Sequence, residues 1–301
     1  MVHEVKVIQE QWIDSVLQNK VVVITGATAG IGLQAVKEFA ARGALVIGVG
    51  RSMEKLQTVQ AEMGARFLPV QADLALQPEV RAAAEQIQAL LAENGLTRVD
   101  VLINNAGTFT GKRTLTEDGV ERTLAVNHQA PFLLTLNLLP LLQNSPDARV
   151  LTVSSNSHYH TWLDVAHVHQ PRLYHGLWAY KTSKLCNVLF TVELNRRFGS
   201  DRLRAYAVDP GLVNTEIGLK QDDALSRLVW KFRRHKGTLP EVPVRTMLHL
   251  ACTPRAELDA HDDIYWRDCQ PKLPSRAAQN PALAKRLWER SLVLCGLDDR
   301  I

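Results

Sequence analysis

Val21-Val22-Val23-Ile24-Thr25-Gly26-Ala27-Thr28-Ala29-Gly30-Ile31-Gly32 decides how the rest of the chain is read. Four β-branched residues in a row specify a buried strand, and glycines then arrive at the spacing of a tight turn. An amphipathic run follows at once, with Leu33, Val36, Phe39 and Ala40 on one helical face. Strand, glycine turn and helix N-terminus together form an anion site, because free backbone N–H groups and the positive end of the helix dipole point into the turn. A side chain at Gly26, Gly30 or Gly32 would hold a pyrophosphate away from the backbone. The stretch therefore predicts a dinucleotide site, with Gly26, Thr28, Gly30, Ile31 and Gly32 as candidate contacts.

Outward from this stretch, strands and helices alternate. Ala44–Gly50 reads as a second strand and Phe67–Val70 as a third, followed by a helix over Pro78–Glu93. A fourth strand, Val99–Ile103, runs into Asn104-Asn105-Ala106-Gly107. A long helix is expected over Thr123–Leu142, a fifth strand over Arg149–Val153, a helix over Trp178–Phe198 and a sixth strand over Leu203–Val208. This alternation implies right-handed crossovers and an α/β, doubly wound parallel sheet, whose ligand lies beyond the carboxyl ends of the strands. Each predicted strand does end in small or polar residues: Gly26, Arg51-Ser52, Asp73, Asn104–Gly107, Ser154-Ser155, Asp209-Pro210-Gly211. Residues 1–19 place Val5, Ile8, Trp12 and Val16 at near-helical spacing and are expected to form an amphipathic extension leaning on a single domain over 20–301.

Composition narrows the function classes. At 301 residues the chain can bury one full core, and its net charge of +4 is too mild and too scattered for a nucleic-acid footprint. Cys186, Cys252, Cys269 and Cys295 have no metal-ligand spacing and read as thiols of a reducing compartment, which with the charged first twenty residues gives a cytoplasmic expectation. The longest stretch without a charged residue, Thr123 to Pro146, carries Asn127, His128, Gln129, Pro131, Asn137 and Pro140; it is read as a buried helix, not a transmembrane span.

Tyr180-Lys181-Thr182-Ser183-Lys184 places a phenol and an ammonium one helical turn apart on one face. A phenol ordinarily keeps its proton to about pH 10, and a neighbouring cation favours the phenolate, so Tyr180 becomes a usable general acid–base. Taken in order, Thr25–Gly32 as T-G-x-x-x-G-I-G, Asn104-Asn105-Ala106-Gly107, Val153-Ser154-Ser155, Tyr180-x-x-x-Lys184 and Pro210-Gly211 resemble the short-chain dehydrogenases/reductases over about residues 20–295. Tyr265-Trp266-Arg267-Asp268-Cys269, Pro274-Ser275, Ala284–Glu289 and Gly296-Leu297 look like the C-terminal tail of the retinol dehydrogenase-like branch. So does the 25-residue step from Ser155 to Tyr180.

The resemblance implies a Rossmann-type domain with a nicotinamide cofactor and assigns roles one residue at a time. Ser155 matches the serine that hydrogen-bonds the substrate oxygen; Ser154 faces the other way, as neighbours on a strand do. Tyr180 matches the proton donor or acceptor. Lys184 matches the residue that holds the nicotinamide ribose and tunes the tyrosine, and Asn127 the helix asparagine that supports a water relay behind the lysine. Asp73, with Leu74 beside it, resembles the acid contacting adenine; Asn104, Ala106 and Gly107 resemble the adenine-ribose wall. Pro210, Gly211 and Thr215 fall where the family encloses the nicotinamide. NAD usually calls for an acid after the second strand; this chain has Gly50-Arg51-Ser52 there, and Arg51 suits a 2′-phosphate, so NADP(H) is expected over NAD(H).

On the substrate side, His158, His160, His167, His169 and His175 crowd one inserted loop. Paired H-x-H groups can bind a transition metal, but the preferred reading is a polar wall of the substrate cleft with no metal. A lid is expected over about 212–243, where Leu225, Leu228, Val229 and Phe232 form an apolar stripe followed by Lys231, Arg233, Arg234, His235 and Lys236. Such a basic amphipathic segment can lie on an anionic membrane, the alternative being a solvated lid. Family members often pair through the helices carrying Asn127 and Tyr180, yet an apolar helix face can equally be core. The resulting expectation is an NADP-preferring oxidoreductase that interconverts a carbonyl and its alcohol, on an apolar or aromatic aldehyde or ketone, retinal-like compounds included. The rivals are a reductase acting on a sterol, sugar, imine or alkene, and a non-catalytic NADP-binding protein that uses the fold for interaction.

Overall fold

A computed structural model describes residues 16–212, 239–259 and 263–298. Its centre is one eight-stranded sheet in the order β3-β2-β1-β4-β5-β6-β7-β8. The strands are β1 (Val21–Thr25), β2 (Leu45–Gly50), β3 (Phe67–Gln71), β4 (Val101–Asn104), β5 (Ala148–Val153), β6 (Leu203–Val208), β7 (Tyr265–Arg267) and β8 (Gln270–Pro271). All neighbours are parallel except β7 and β8, which form an antiparallel hairpin. The helices are α1 (Gly30–Ala41), α2 (Met53–Met63), α3 (Gln77–Glu93), α4 (Arg122–Leu124), α5 (Ala130–Asn137), α6 (Leu139–Gln143), α7 (Gly176–Phe198), α8 (Glu241–Cys252), α9 (Arg255–Asp259) and α10 (Pro281–Leu294).

Parallel strands are apolar along their whole length because helices cover both faces, and every residue of β1 and β5 is buried. Alternate side chains of β1 enter opposite cores. Val21 and Val23 pack with α3, α5 and α10, whereas Val22 and Ile24 pack with α1, α2 and α8. The result is the doubly wound α/β sheet that the alternation of elements predicts. Leu17, at the described end of the predicted N-terminal extension, is buried in the second core; residues 1–15 of that extension lie outside the described residues.

One predicted element differs and one observed element was not predicted. The single helix over Thr123–Leu142 is interrupted: α4 gives way to a π-helical turn, Ala125–Gln129, before α5 and α6. The extra residue in that turn lets Asn127, His128 and Gln129 all point inward and be buried. The β7–β8 hairpin was not predicted as strands, because three- and two-residue strands carry no periodic signal. Among the described residues no helix is long and apolar enough to cross a membrane.

Outward faces are covered as well. Every residue of α7 from Ser183 to Thr191 is buried, as is every residue from Ala130 to Leu136 of α5. A helix buried all round is an internal one. The cover is α10, whose Trp288 stacks on Phe190 and meets Phe132 edge-on. These faces of α5 and α7 are thus covered by the chain's own C-terminal helix.

Candidate active site

The carboxyl ends of β1, β2, β4, β5 and β6 converge on one edge, and the glycine turn sits at its middle. Gly26 (φ +70°) and Gly30 (φ +54°) adopt the left-handed backbone that glycine alone takes easily. A Cβ on Gly32 would lie 2.2 Å from the Gly26 carbonyl oxygen, so the turn folds directly against its own helix. Ala29 precedes α1 in an extended conformation, and no described side chain caps the helix. Its first N–H groups are therefore left for an anion, which is the feature a pyrophosphate needs.

The neighbouring turn is tied to this one. Thr25 Oγ1 accepts from the N–H groups of Asn105 and Ala106, both at 3.0 Å, and Asn105 Nδ2 donates to the Thr25 carbonyl at 2.8 Å. Asn104 turns inward and donates to Thr135 at 3.0 Å, so only its backbone lies on the cleft side with Ala106 and Gly107. Asp73 accepts from the Ala75 N–H and pairs with Arg122 at 3.3 Å, while Leu74 is buried beside it. Arg51 lies exposed beyond β2, its carbonyl held by Gln71 at 3.0 Å. The turn at Pro210-Gly211 follows β6, with Gly211 at φ +71°. Thr215 and the lid residues from 213 to 238, Leu225 to Lys236 among them, lie outside the described residues, while the end of the expected lid, Glu241–Pro243, opens α8.

The face of α7 that carries Tyr180 and Lys184 docks on the end of β5. Lys184 Nζ donates to the Val153 carbonyl at 3.0 Å and lies 5.6 Å from the centre of the Tyr180 ring. Burial pushes the Lys184 ammonium down to about 8. Ser154 Oγ donates inward to the Lys184 carbonyl at 2.8 Å, while Ser155 faces the opposite way, its Oγ accepting from the Ser157 N–H at 3.2 Å. Phe109 packs on Tyr180 with ring centres 5.9 Å apart. Asn127, held by the π turn, accepts from the Thr108 N–H at 2.7 Å and donates to Ser183 Oγ at 3.0 Å. Its direct bonds thus go to the residue beside Lys184 and to the loop after β4. Ser155, Tyr180, Lys184 and Asn127 are accordingly gathered at one place by three elements.

Asn187 was not singled out in the sequence, yet its Nδ2 shares the Val153 carbonyl with Lys184 at 3.0 Å. The signal was its position three residues after Lys184 on the same helical face. The inserted histidines disperse. His158 is buried between the Ser155 carbonyl and the Ser275 N–H; His167 pairs with Asp164; His169 lies against Arg290; His175 precedes α7. Among the described residues no cluster of three metal-ligating side chains forms. The loop does wall a cleft of about 480 Å³, with Trp162, Leu173, Tyr174, Trp178 and Glu121. That cleft uses His175, just before α7, and Trp178, Ala179 and Thr182 on the face of α7 away from Tyr180 and Lys184.

Comparison with known proteins agrees with this geometry. A family model described as short chain dehydrogenase matches residues 20–225. Human retinol dehydrogenase 11 is 36% identical over 286 residues, covering 93% of this chain and 87% of the relative. Mouse polyprenol dehydrogenase is 37% identical over 297 residues, covering 92% and 84%. A solved structure of an uncharacterized protein from Mycobacterium paratuberculosis superposes with a TM-score of 0.69 at 30% identity, covering 94% of this chain and 96% of the other. The chain belongs to the short-chain dehydrogenases, on their retinol dehydrogenase-like side, and is an NAD(P)-dependent dehydrogenase or reductase.

Proposed function

We propose that this chain interconverts an apolar or aromatic aldehyde or ketone and its alcohol, preferring NADP(H), with Tyr180 as general acid and base. The observation that carries the reading is the buried Lys184 ammonium, anchored on the end of β5 and 5.6 Å from the Tyr180 ring. A cation there favours the phenolate and lowers the work of moving the tyrosine proton. The nicotinamide, when bound, supplies or accepts hydride at the carbonyl carbon.

In reduction, Ser155 and Tyr180 donate to the carbonyl oxygen, and the Tyr180 proton passes to that oxygen as its charge develops. In the reverse direction Tyr180 takes the alcohol proton. Asn127 and Ser183 hold the helix and the loop after β4 in register behind these groups. Two features support the substrate class. Phe109 lies against Tyr180, and the relatives named above act, by their names, on retinol and polyprenol, both apolar alcohols. The exposed Arg51 at the end of β2, where an acid would hold a ribose hydroxyl, supports NADP(H).

The test is cofactor oxidation with a panel of aldehydes and ketones. Tyr180→Phe should lower kcat by about 10²–10⁴-fold while leaving cofactor affinity near the wild-type value. If wild type binds NADPH and reduces no carbonyl, the proposed carbonyl–alcohol chemistry fails. Arg51→Glu should raise the KM for NADPH about tenfold or more and leave that for NADH nearly unchanged, since only the former carries the phosphate.

A further inference from the structure

Asp209 has an environment that the cofactor turn alone does not call for. It follows β6 immediately before Pro210-Gly211, and its side chain is fully buried. Oδ1 accepts from the N–H of Asn156 at 3.2 Å and from that of Gly211 at 3.0 Å. Asn156 is next to Ser155, and Gly211 belongs to the turn after β6 at which the nicotinamide is expected. One oxygen therefore bridges the serine side of the site to its cofactor side. Oδ2 faces Lys272, which follows β8, at 3.3 Å and Arg267 of β7 at 3.8 Å. Lys272 also donates to Asn156 Oδ1 at 2.9 Å and lies over the rings of Tyr159 and Tyr265. The Asp209 N–H donates to the Trp266 carbonyl at 2.9 Å, so the residue is fixed by its backbone too.

A buried carboxylate is costly unless cations and N–H donors compensate it, and all of these do. Burial and the nearby Asp209 charge hold the Tyr265 phenol above its ordinary range, so it stays protonated in this wall. His158 completes the support. Its Nε2 accepts from the Ser275 N–H at 3.1 Å, which leaves the proton on Nδ1 to donate to the Ser155 carbonyl at 2.7 Å. The backbone on both sides of Ser155 is thus clamped by groups that the β7–β8 hairpin and the chain after it hold in place.

We infer that Asp209 is a positioning residue for the hydride-transfer reaction. Through its bridge between Asn156 and Gly211 it sets the spacing of the Ser155 hydroxyl and the nicotinamide-side turn, with Lys272 as its counter-ion. The inference rests on the proposed role of Ser155. It is specific to a carboxylate at this position. An amide can present one oxygen to both N–H groups, but its own N–H then meets the Lys272 ammonium.

The experiment compares Asp209→Asn, Lys272→Met and the double variant by steady-state reduction of an aldehyde that wild type turns over, using NADPH and its 4-deuterated form. Asp209→Asn should lower kcat about tenfold or more, as displaced reacting groups do, with the KM for NADPH within about threefold and a larger deuterium isotope effect on kcat. Lys272→Met, whose side chain is partly exposed, should lower kcat about threefold. The double variant should recover to within about threefold of Lys272→Met, because the amide no longer faces a cation. A purely structural role would lower the melting temperature and leave the isotope effect and the rescue unmoved. Wild-type kcat and isotope effect in Asp209→Asn overturn the proposal, as does a double variant no better than Asp209→Asn. If Asp209→Asn does not fold, Lys272→Met decides: reduced kcat at wild-type melting supports the bridge, and unchanged kcat overturns it. A wild-type chain inactive on every carbonyl defeats the proposed function, whereas wild-type turnover with an indifferent Asp209→Asn defeats this inference alone.

Discussion

Ser154 and Ser155 are chemically identical neighbours with opposite fates. The Ser154 hydroxyl is buried and donates to the backbone of α7, so Ser154→Ala should cost about 1 kcal/mol of stability and leave kcat within about threefold. Ser155→Ala should cost a comparable amount of stability, through the lost cap on the Ser157 N–H, but lower kcat about a hundredfold, read by chemical denaturation alongside carbonyl reduction. The resemblance in motif singled out Ser155, and strand alternation then turns Ser154 the other way. His128 was not legible. It sits in an apolar stretch with nothing to mark it, yet it is fully buried with Nε2 on Ser291 Oγ at 2.9 Å, and desolvation lowers its pKa to about 4. Above pH 6.5 the imidazole is neutral in both folded and unfolded chains. Between 6.5 and 4 only the unfolded chain takes up the proton, so about 3 kcal/mol of stability is lost as pH falls through that window. His128→Gln should flatten this part of the stability curve, measured as urea midpoints at pH 7 and 4.5; equal slopes in the two proteins would refute it.

At the scale of elements, the strand–turn–helix at 21–41 was readable because two independent signals agree there. A β-branched run sets the strand, and glycines occur where the backbone needs positive φ or admits no Cβ. Gly32→Ala must push the new methyl against the Gly26 carbonyl, which cannot move without opening the turn. The expected result is a loss of NADPH affinity of about tenfold or more, measured by cofactor fluorescence, with the sheet intact by far-UV dichroism. The π turn escaped the sequence reading for a related reason. Periodicity averages over several turns and is blind to one inserted residue, so Asn127-His128-Gln129 looked like an interruption of an apolar helix. In the fold, that inserted residue lets Asn127 reach both Thr108 and Ser183. The resemblance in motif had already picked out Asn127, while its local geometry needed coordinates. The hairpin β7–β8 was carried only as a family-like tail, since its few residues pair by virtue of β6 lying beside them.

For the molecule as a whole, the question is what keeps the apolar helices behind the active site out of water. Ala130–Leu136 of α5 and Ser183–Thr191 of α7 are buried all round, and α10 closes over them through Trp288, which is 2% exposed. Its indole meets Phe132 at 4.9 Å edge-on, stacks on Phe190 at 6.0 Å, touches Phe198 at 6.0 Å and carries the Arg197 guanidinium at 5.0 Å. At the end of α10, Gln77 and Arg81 of α3 bond the carbonyls of Leu294 and Cys295, so the helix is pinned along its length. Removing the indole leaves a cavity at the junction of three helices, and Trp288→Ala should cost about 3–5 kcal/mol. The same change loosens the cover over Phe132 and Phe190, apolar faces that the wild-type chain keeps to itself. The variant should therefore bind a hydrophobic dye and associate with rising concentration, where wild type does neither through this surface. Sedimentation of both proteins across a concentration series decides the matter. A stable, dye-silent Trp288→Ala chain that sediments as wild type does would mean α10 is an appendage, and that the closed back of the site depends on packing within α5 and α7 alone.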